Sequence, residues 1–334
     1  MKVKLFGLLI AVLLLTIVFS GCSEKETTNK NSGAPKKEIG FIQNLINNAS
    51  EGDTINIPSG TYYENVIVNK SIKLIGENKD TTIIYGNTED SVVVIEADYV
   101  TIANFTIQNS DYGYGIELYY RNNNTITNND IKSIDNAGVY LEYSSDNIIK
   151  DNILTENRVG IDLAVDCYRN DINDNEITSH IDTGICLGRR SSNNFVTGNK
   201  IDTCKYNGIL ITIEANDNIL STNIISNCYY GIDMDISSEN NIITNNNLSS
   251  NDIFGIAVED NSSNNNIIYS NNFIGNSRNA HDMSDNHWDN GAIGNYWSDY
   301  TGIDNDSDGV GDTPYNIEGE DNKDSYPLMN PVDI

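Results

Sequence analysis

Between Gly115 and Phe273 the chain writes one short unit seven times. A glycine followed by an aliphatic residue opens each copy. The pairs are Gly115-Ile116, Gly138-Val139, Gly160-Ile161, Gly184-Ile185, Gly208-Ile209, Gly231-Ile232 and Gly255-Ile256, at steps of 23, 22, 24, 24, 23 and 24 residues. Each copy then carries asparagine-x-apolar-x-x-asparagine-x-apolar, from Asn124, Ile126, Asn129 and Ile131 in the first to Asn266, Ile268, Asn271 and Phe273 in the last. No copy lacks an asparagine in either column. Such column order separates the stretch from a polar low-complexity segment, and a strict period in the twenties means a solenoid.

The inner pattern selects the solenoid. Short apolar pairs at spacing two, such as Ile116 and Leu118, are strand and not helix. The leucine framework of leucine-rich repeats is absent. Three short strands per coil describe an all-β fold, a single-stranded right-handed parallel β-helix with coils about 4.8 Å apart. Asparagine tolerates the left-handed backbone of a corner, and its amide can bond the same amide one coil above and below. Each such bond stabilises by only about 1 kcal/mol net, but fourteen positions hold every coil in register.

The segment before the repeats reads as their base. Ile39, Ile42, Leu45 and Ile46 form a helical stripe over residues 38–49, and Ile55/Ile57, Val66/Val68 and Ile72/Leu74 alternate as strands. The helix is expected to cover the first coil, whose open end would expose core side chains and strand edges. Val100 and Phe105 stand where later copies carry asparagine, so the ladder should start one coil late. The runs Gly52-Asp53-Thr54-Ile55, Gly60-Thr61-Tyr62 and Glu64-Asn65-Val66 resemble the opening of pectin-lyase-like β-helix proteins. The asparagine-rich coils resemble the NosD-type family, also described as carbohydrate-binding and sugar-hydrolase repeats. The resemblance spans residues 39–273. It implies fold rather than activity, because the matching residues build coils.

The chain has 334 residues and a formal net charge of −28. That argues against a nucleic-acid partner, whose phosphates demand a basic surface, and suits divalent cations or a soluble acidic exterior. Lys2 and Lys4 precede an apolar run from Leu5 to Phe19, then Ser20-Gly21-Cys22. Residues 1–22 therefore read as a lipoprotein signal segment with Cys22 lipidated, or as an ordinary secretory signal; both imply export. Residues 23–37 read as a flexible tether. Of the other cysteines, Cys204 and Cys228 follow Ile201 and Ile225 by three residues and share a column, as a disulfide or as two stacked thiols.

After each glycine the strand alternates in and out. One outward column reads Glu117, Tyr140, Asp162, Cys186, Leu210, Asp233, Ala257; the next reads Tyr119, Glu142, Ala164, Gly188, Thr212, Asp235, Glu259. Tyrosines that stack on sugar rings and carboxylates that bond hydroxyls point to a polysaccharide or cell-envelope glycan as partner, with Tyr119, Tyr140, Glu142 and Asp162 as contacts. Asp233, Asp235 and Glu259 are candidate catalytic carboxylates, a spacing compatible with glycoside hydrolysis; calcium binding and a plain solvated face are the alternatives. Arg189-Arg190 near Asp162 and Asp166 is a second, lyase-like option. The Gly-His-Gly and Arg-Ile-Lys motifs of the polygalacturonases that these coils resemble are absent. The NosD resemblance implies copper handling, for which His281, Met283 and His287 offer the ligand types.

The composition changes after His287, and both tryptophans, Trp288 and Trp297, follow it as expected seals for the top of the stack. Asp304, Asp306, Asp308, Gly309, the Val310 carbonyl and Asp312 have the spacing of an EF-hand-like calcium loop. Position twelve is Tyr315 rather than glutamate, so Asp324 is the candidate last ligand. The domain expectation is signal 1–22, tether 23–37, capped β-helix 38–280 and a calcium-loop cap 281–334. The functional expectation is a lipid-anchored, exported, non-catalytic glycan binder stabilised by calcium. A polysaccharide hydrolase, lyase or epimerase and a periplasmic copper-handling protein are the alternatives.

Overall fold

The ladder asparagines are almost wholly buried, and within the repeats those above the first rung close four bonds or more. In the computed structural model, which describes residues 40–334, Asn147 Oδ1 accepts from Asn124 Nδ2 (3.1 Å) and from the Asn124 amide (2.9 Å) one coil below. Asn147 Nδ2 then donates to the Arg121 carbonyl (3.0 Å) and to Asn170 Oδ1 (3.1 Å) one coil above. The signal-like segment, Cys22 and the tether lie outside the described residues.

The same four-bond unit repeats along two corners. One ladder runs from Asn124 to Asn266 and the other from Asn129 to Asn271. Both go one rung further than the seven repeats, to Asn286 and Asn295. They begin where expected, with the amides of Val100 and Phe105 donating to Asn124 and Asn129.

The expectation that the asparagines take the left-handed turn needs correcting. The positive φ falls on the preceding residue, as at Asn123 (59°), Asn128 (52°), Asp146 (59°) and Asp174 (53°). That residue turns the chain, and the turn aims the next side chain inward.

Three parallel sheets result. The first has ten strands, from Thr54–Ile57 to Ile267–Tyr269. The second has eleven, from Gly60–Tyr63 to Tyr296–Trp297, and the third eleven, from Val66–Val68 to Glu318–Gly319. In every coil each sheet sends aliphatic groups inward, for example Ile149, Leu154 and Ile161, all fully buried. The repeating glycine opens the strands of the third sheet for a steric reason. A Cβ on Gly115 would lie 2.4 Å from the Gly138 carbonyl oxygen of the next coil, and the same clash recurs up to Gly255 against Asn279.

Both ends are closed. The helix Phe41–Asn48 buries Ile42 and Ile46 on the first coil. Glu64 accepts from the first amides of that helix, Ile42 and Gln43 (3.0 Å each), and Lys70 Nζ donates to the carbonyls of Ile46, Asn47 and Ala49 at its end. Acid at the amino end and base at the carboxyl end both match the helix dipole. At the top, Phe273, Trp297 and Tyr315 stack with centroid spacings of 4.2 and 4.1 Å.

Asn175→Ala removes the acceptor for the buried Asn152 amide and side chain. Leaving such a donor unpaired costs roughly 1–3 kcal/mol. The expected outcome is a lower denaturation midpoint, with amide exchange accelerated first around Asn152.

Candidate functional site

The outer face of the third sheet carries the first predicted column intact. Glu117, Tyr140, Asp162, Cys186, Leu210, Asp233 and Ala257 are paired in successive strands, and the column runs on from Val94 below to His281 above. The second column is broken. The strand Val159–Val165 bulges, so Glu142 pairs with Val165 and Val165 with Arg189. Ala164 and Gly188, expected in that column, are displaced from it. One extra residue in the strand is enough to shift the register. In the turn beyond, Arg190 of the Arg189-Arg190 pair makes an ion pair with Asp166.

The lower coils gather aromatic rings. Tyr114 stacks on Tyr140 with centroids 4.0 Å apart and an 11° interplanar angle, and the Tyr140 hydroxyl donates to Glu142 Oε2 (2.9 Å). Tyr120 stacks on Tyr143 at 4.6 Å, while Tyr119 meets both edge-on. Tyr119 and Tyr120 are exposed. Tyr114 and the Tyr120/Tyr143 pair carried no repeat signal, because they sit in turns.

Midway, burial pushes the Asp162 carboxyl up to about 6, against a hydrogen bond from Cys186 that lowers it; Asp182 and Glu142 add repulsion. Higher up, burial raises Asp233 to about 7, with Asp235, Glu259 and Asp260 adding like charge. Asp235 is raised too, first by burial, and its Oδ1 has no hydrogen-bond partner. Glu259 Oε1 accepts from the Tyr230 hydroxyl (3.2 Å). Asp233 therefore feels the charge of both Asp235 and Glu259, and Asp235 that of Glu259.

The copper candidates are not brought together. His281 lies in the third sheet, paired with Ala257 and stacked on Phe254 at 5.2 Å. His287 bridges to Ile267 and so belongs to the first sheet. Different faces of the prism hold the two imidazoles, and this donor set does not fit one copper ion.

The acidic loop is partly as expected. Ligand oxygens of Asp304, Asp306 and Asp308 lie within 4.8 Å of one another, and Gly309 supplies the turn with φ at 90°. The Gly309 amide holds Asp304 below its ordinary pKa, whereas Asp308 repels Asp306 and raises it. Asp312 turns to Asn305, accepting from its amide at 2.8 Å, and the Val310 amide donates to Asp308. Asp324 departs from its predicted role. It is fully buried and accepts from the Asn295 amide (2.7 Å), Trp297 Nε1 (2.8 Å) and the Tyr326 amide (2.9 Å). Asp282 serves Trp288 Nε1 in the same way (2.8 Å). The two carboxylates anchor the tryptophan seals.

Among the described residues no helix is long and apolar enough to cross a membrane. Residues 45–195 match the family described as right handed beta helix region, and residues 163–302 match periplasmic copper-binding protein (NosD). No match is found among curated proteins. Among solved structures, an alginate lyase from Paenibacillus is similar with a TM-score of 0.62 at 17% identity, covering 73% of this chain and 95% of its own. A protein of Geobacillus virus E2 gives 0.65 at 16%, covering 83% and 63%. The A-module of a mannuronan C-5 epimerase of Azotobacter vinelandii gives 0.57 at 11%, covering 74% and 92%. At these identities the likeness is one of fold.

Because Asp233 holds a proton more tightly folded than unfolded, stability contributed by its protonated form falls as pH rises from about 4, the unfolded value, to about 7. Asp233→Asn should raise the melting temperature at pH 8 by roughly 2 °C, the scale of about 1 kcal/mol in a chain this long. Near pH 4 the variant and the parent should melt together.

Proposed function

We propose that the third sheet is a glycan-binding face on an exported protein, a reading that starts from the match of residues 45–195 to the right handed beta helix region family and of residues 163–302 to the NosD family. The observation that carries the reading is the aromatic cluster of Tyr114, Tyr140, Tyr119, Tyr120 and Tyr143, lying beside Glu142 and opening upward onto Asp162. Rings on this face offer stacking surface to sugars, and the carboxylates beside them accept from hydroxyls. Cys22 would hold the protein at a membrane through its lipid, with the tether between anchor and coils. The structures named for alginate and mannuronan share the fold. Glu117, Glu142, Asp162, Asp233, Asp235 and Glu259 line this chain's face against Arg189 and Arg278. So acidic a strip suits a neutral or amino-bearing glycan better than a polyuronate.

Tyr140→Ala and Tyr119→Ala are each expected to weaken retention on the bound polysaccharide by about threefold to tenfold, the worth of one aromatic contact. Affinity electrophoresis or a glycan array reads this directly. Unchanged retention in both variants would remove the basis for the reading.

A second reading is supported by the proton held at Asp233 beside Asp235 and Glu259, a pairing of acid and carboxylate used in glycoside cleavage. Asp233 would donate the proton to the leaving oxygen, with Asp235 or Glu259 as the ionised partner. Product release from a susceptible glycan that survives in Asp235→Asn and in Glu259→Gln would end it.

Calcium at Asp304, Asp306 and Asp308, with the Val310 carbonyl, completes the proposal as a stabiliser of the cap. Chelation should lower the melting temperature of the parent, and Asp306→Asn should abolish that response. Asp324→Asn should destabilise the cap with and without calcium, because a carboxamide has one acceptor oxygen where the two carboxylate oxygens serve the Asn295, Trp297 and Tyr326 donors.

A further inference from the structure

The corner between the second and third sheets has a column of its own, occupied in successive coils by Ile134, Asn157, His180, Cys204, Cys228, Asn251 and Asn276. Where it holds asparagine it behaves as a third ladder. Asn157 accepts from the Ile134 amide (3.1 Å), Asn251 from the Cys228 amide (3.1 Å), and Asn251 Nδ2 donates to Asn276 Oδ1 (2.9 Å). At His180, Cys204 and Cys228 the side-chain ladder is interrupted.

The two cysteines occupy matched positions. The pairs Ile201–Ile225 and Asp202–Ser226 are in register, and two residues further each chain reaches its cysteine. Both side chains are buried and placed alike: a Cβ on Gly184 would meet the Cys204 sulfur at 3.2 Å, and one on Gly208 the Cys228 sulfur at 3.5 Å. Neighbouring coils are about 4.8 Å apart, inside the range of about 4.4–6.8 Å that a disulfide spans between Cα atoms. The other two described cysteines have no such partner. Cys167 lies in the opposite corner, its thiol on the Leu141 carbonyl (3.4 Å), and Cys186 faces outward between Asp162 and Leu210.

We infer that Cys204 and Cys228 are the site of a disulfide that staples two adjacent coils in the exported protein. The oxidant is a disulfide, either that of a thiol–disulfide oxidoreductase or a low-molecular-weight one. The thiolate of one cysteine attacks it and expels a thiolate. The second cysteine then attacks the mixed disulfide and expels the other. Two electrons pass to the oxidant, two protons leave the cysteines, and one sulfur–sulfur bond replaces another. Because the finished corner hides both sulfurs, the exchange takes place while the coil carrying Cys228 settles on the one below. The bond restores a link between coils where asparagine is missing. It is independent of what the third sheet binds.

The test uses the full chain, exported with its own leader into an oxidising compartment and also produced in a reducing cytosol. Each sample is denatured, alkylated without reductant, digested and mapped by mass spectrometry. The expected result is a Cys204–Cys228 linked peptide in the exported protein only, with Cys167 and Cys186 alkylated. Reduction should lower the melting temperature of the exported parent and leave Cys204→Ser/Cys228→Ser unaffected. Four alkylated thiols in the exported protein, or a bridge to Cys167 or Cys186, would overturn the inference. The mapping decides it even if the double variant fails to fold.

Discussion

Every coil of this protein must turn three times inside about two dozen residues, and each turn strands backbone amides next to an apolar core. A buried amide without a partner costs as much as several good contacts supply. The asparagine ladders meet that demand. A single side chain takes the amide and carboxamide of the coil beneath, and gives its own hydrogens to a carbonyl beneath and a carboxamide above. No aliphatic residue could do this, and a carboxylate would supply acceptors only. The aliphatic stacks drive the chain together, but the ladders decide which strand lies over which.

The chemistry of the surface follows from that register. Outward side chains of the third sheet line up only because the strands beneath them are paired residue for residue, from Val94 to His281. Alignment has an electrostatic consequence. Burial denies these carboxylates solvent and nearby like charges add to it, so Asp162 is pushed up to about 6 and Asp233 to about 7. Tyrosines and a proton-holding acid therefore meet twice on one continuous strip, at Tyr140 beside Asp162 and at Tyr230 near Asp233.

The ends of the stack show the same economy of means. Where the repeat stops, the ladders do not; Asn286 and Asn295 continue them into the cap. Trp288 and Trp297 cover the last coil, and each indole needs a buried acceptor. Asp282 and Asp324 meet that need. An acid that looks like a cation ligand by its place after the calcium-like loop is therefore a structural group.

Much of this was legible from residue order. The period, the two asparagine columns, the in-out alternation and the late start of the ladder depend on local spacing, which a solenoid converts directly into neighbours. Fold class and the membership of the first outward column followed from it. What spacing could not reach was anything set by an irregularity or by a distant segment. The bulge that lets Val165 and Arg189 replace Ala164 and Gly188 inserts a single residue, invisible to a period that already varies by two. The stacking of Tyr114 on Tyr140 and the parting of His281 from His287 depend on where turns point. The burial of Asp324 under Trp297 joins residues 27 apart outside any repeat. The amino-acid order thus determined the column, because repetition makes sequence neighbours into spatial ones. Only the folded chain decided which surface groups meet, because that depends on how each coil's turn is aimed.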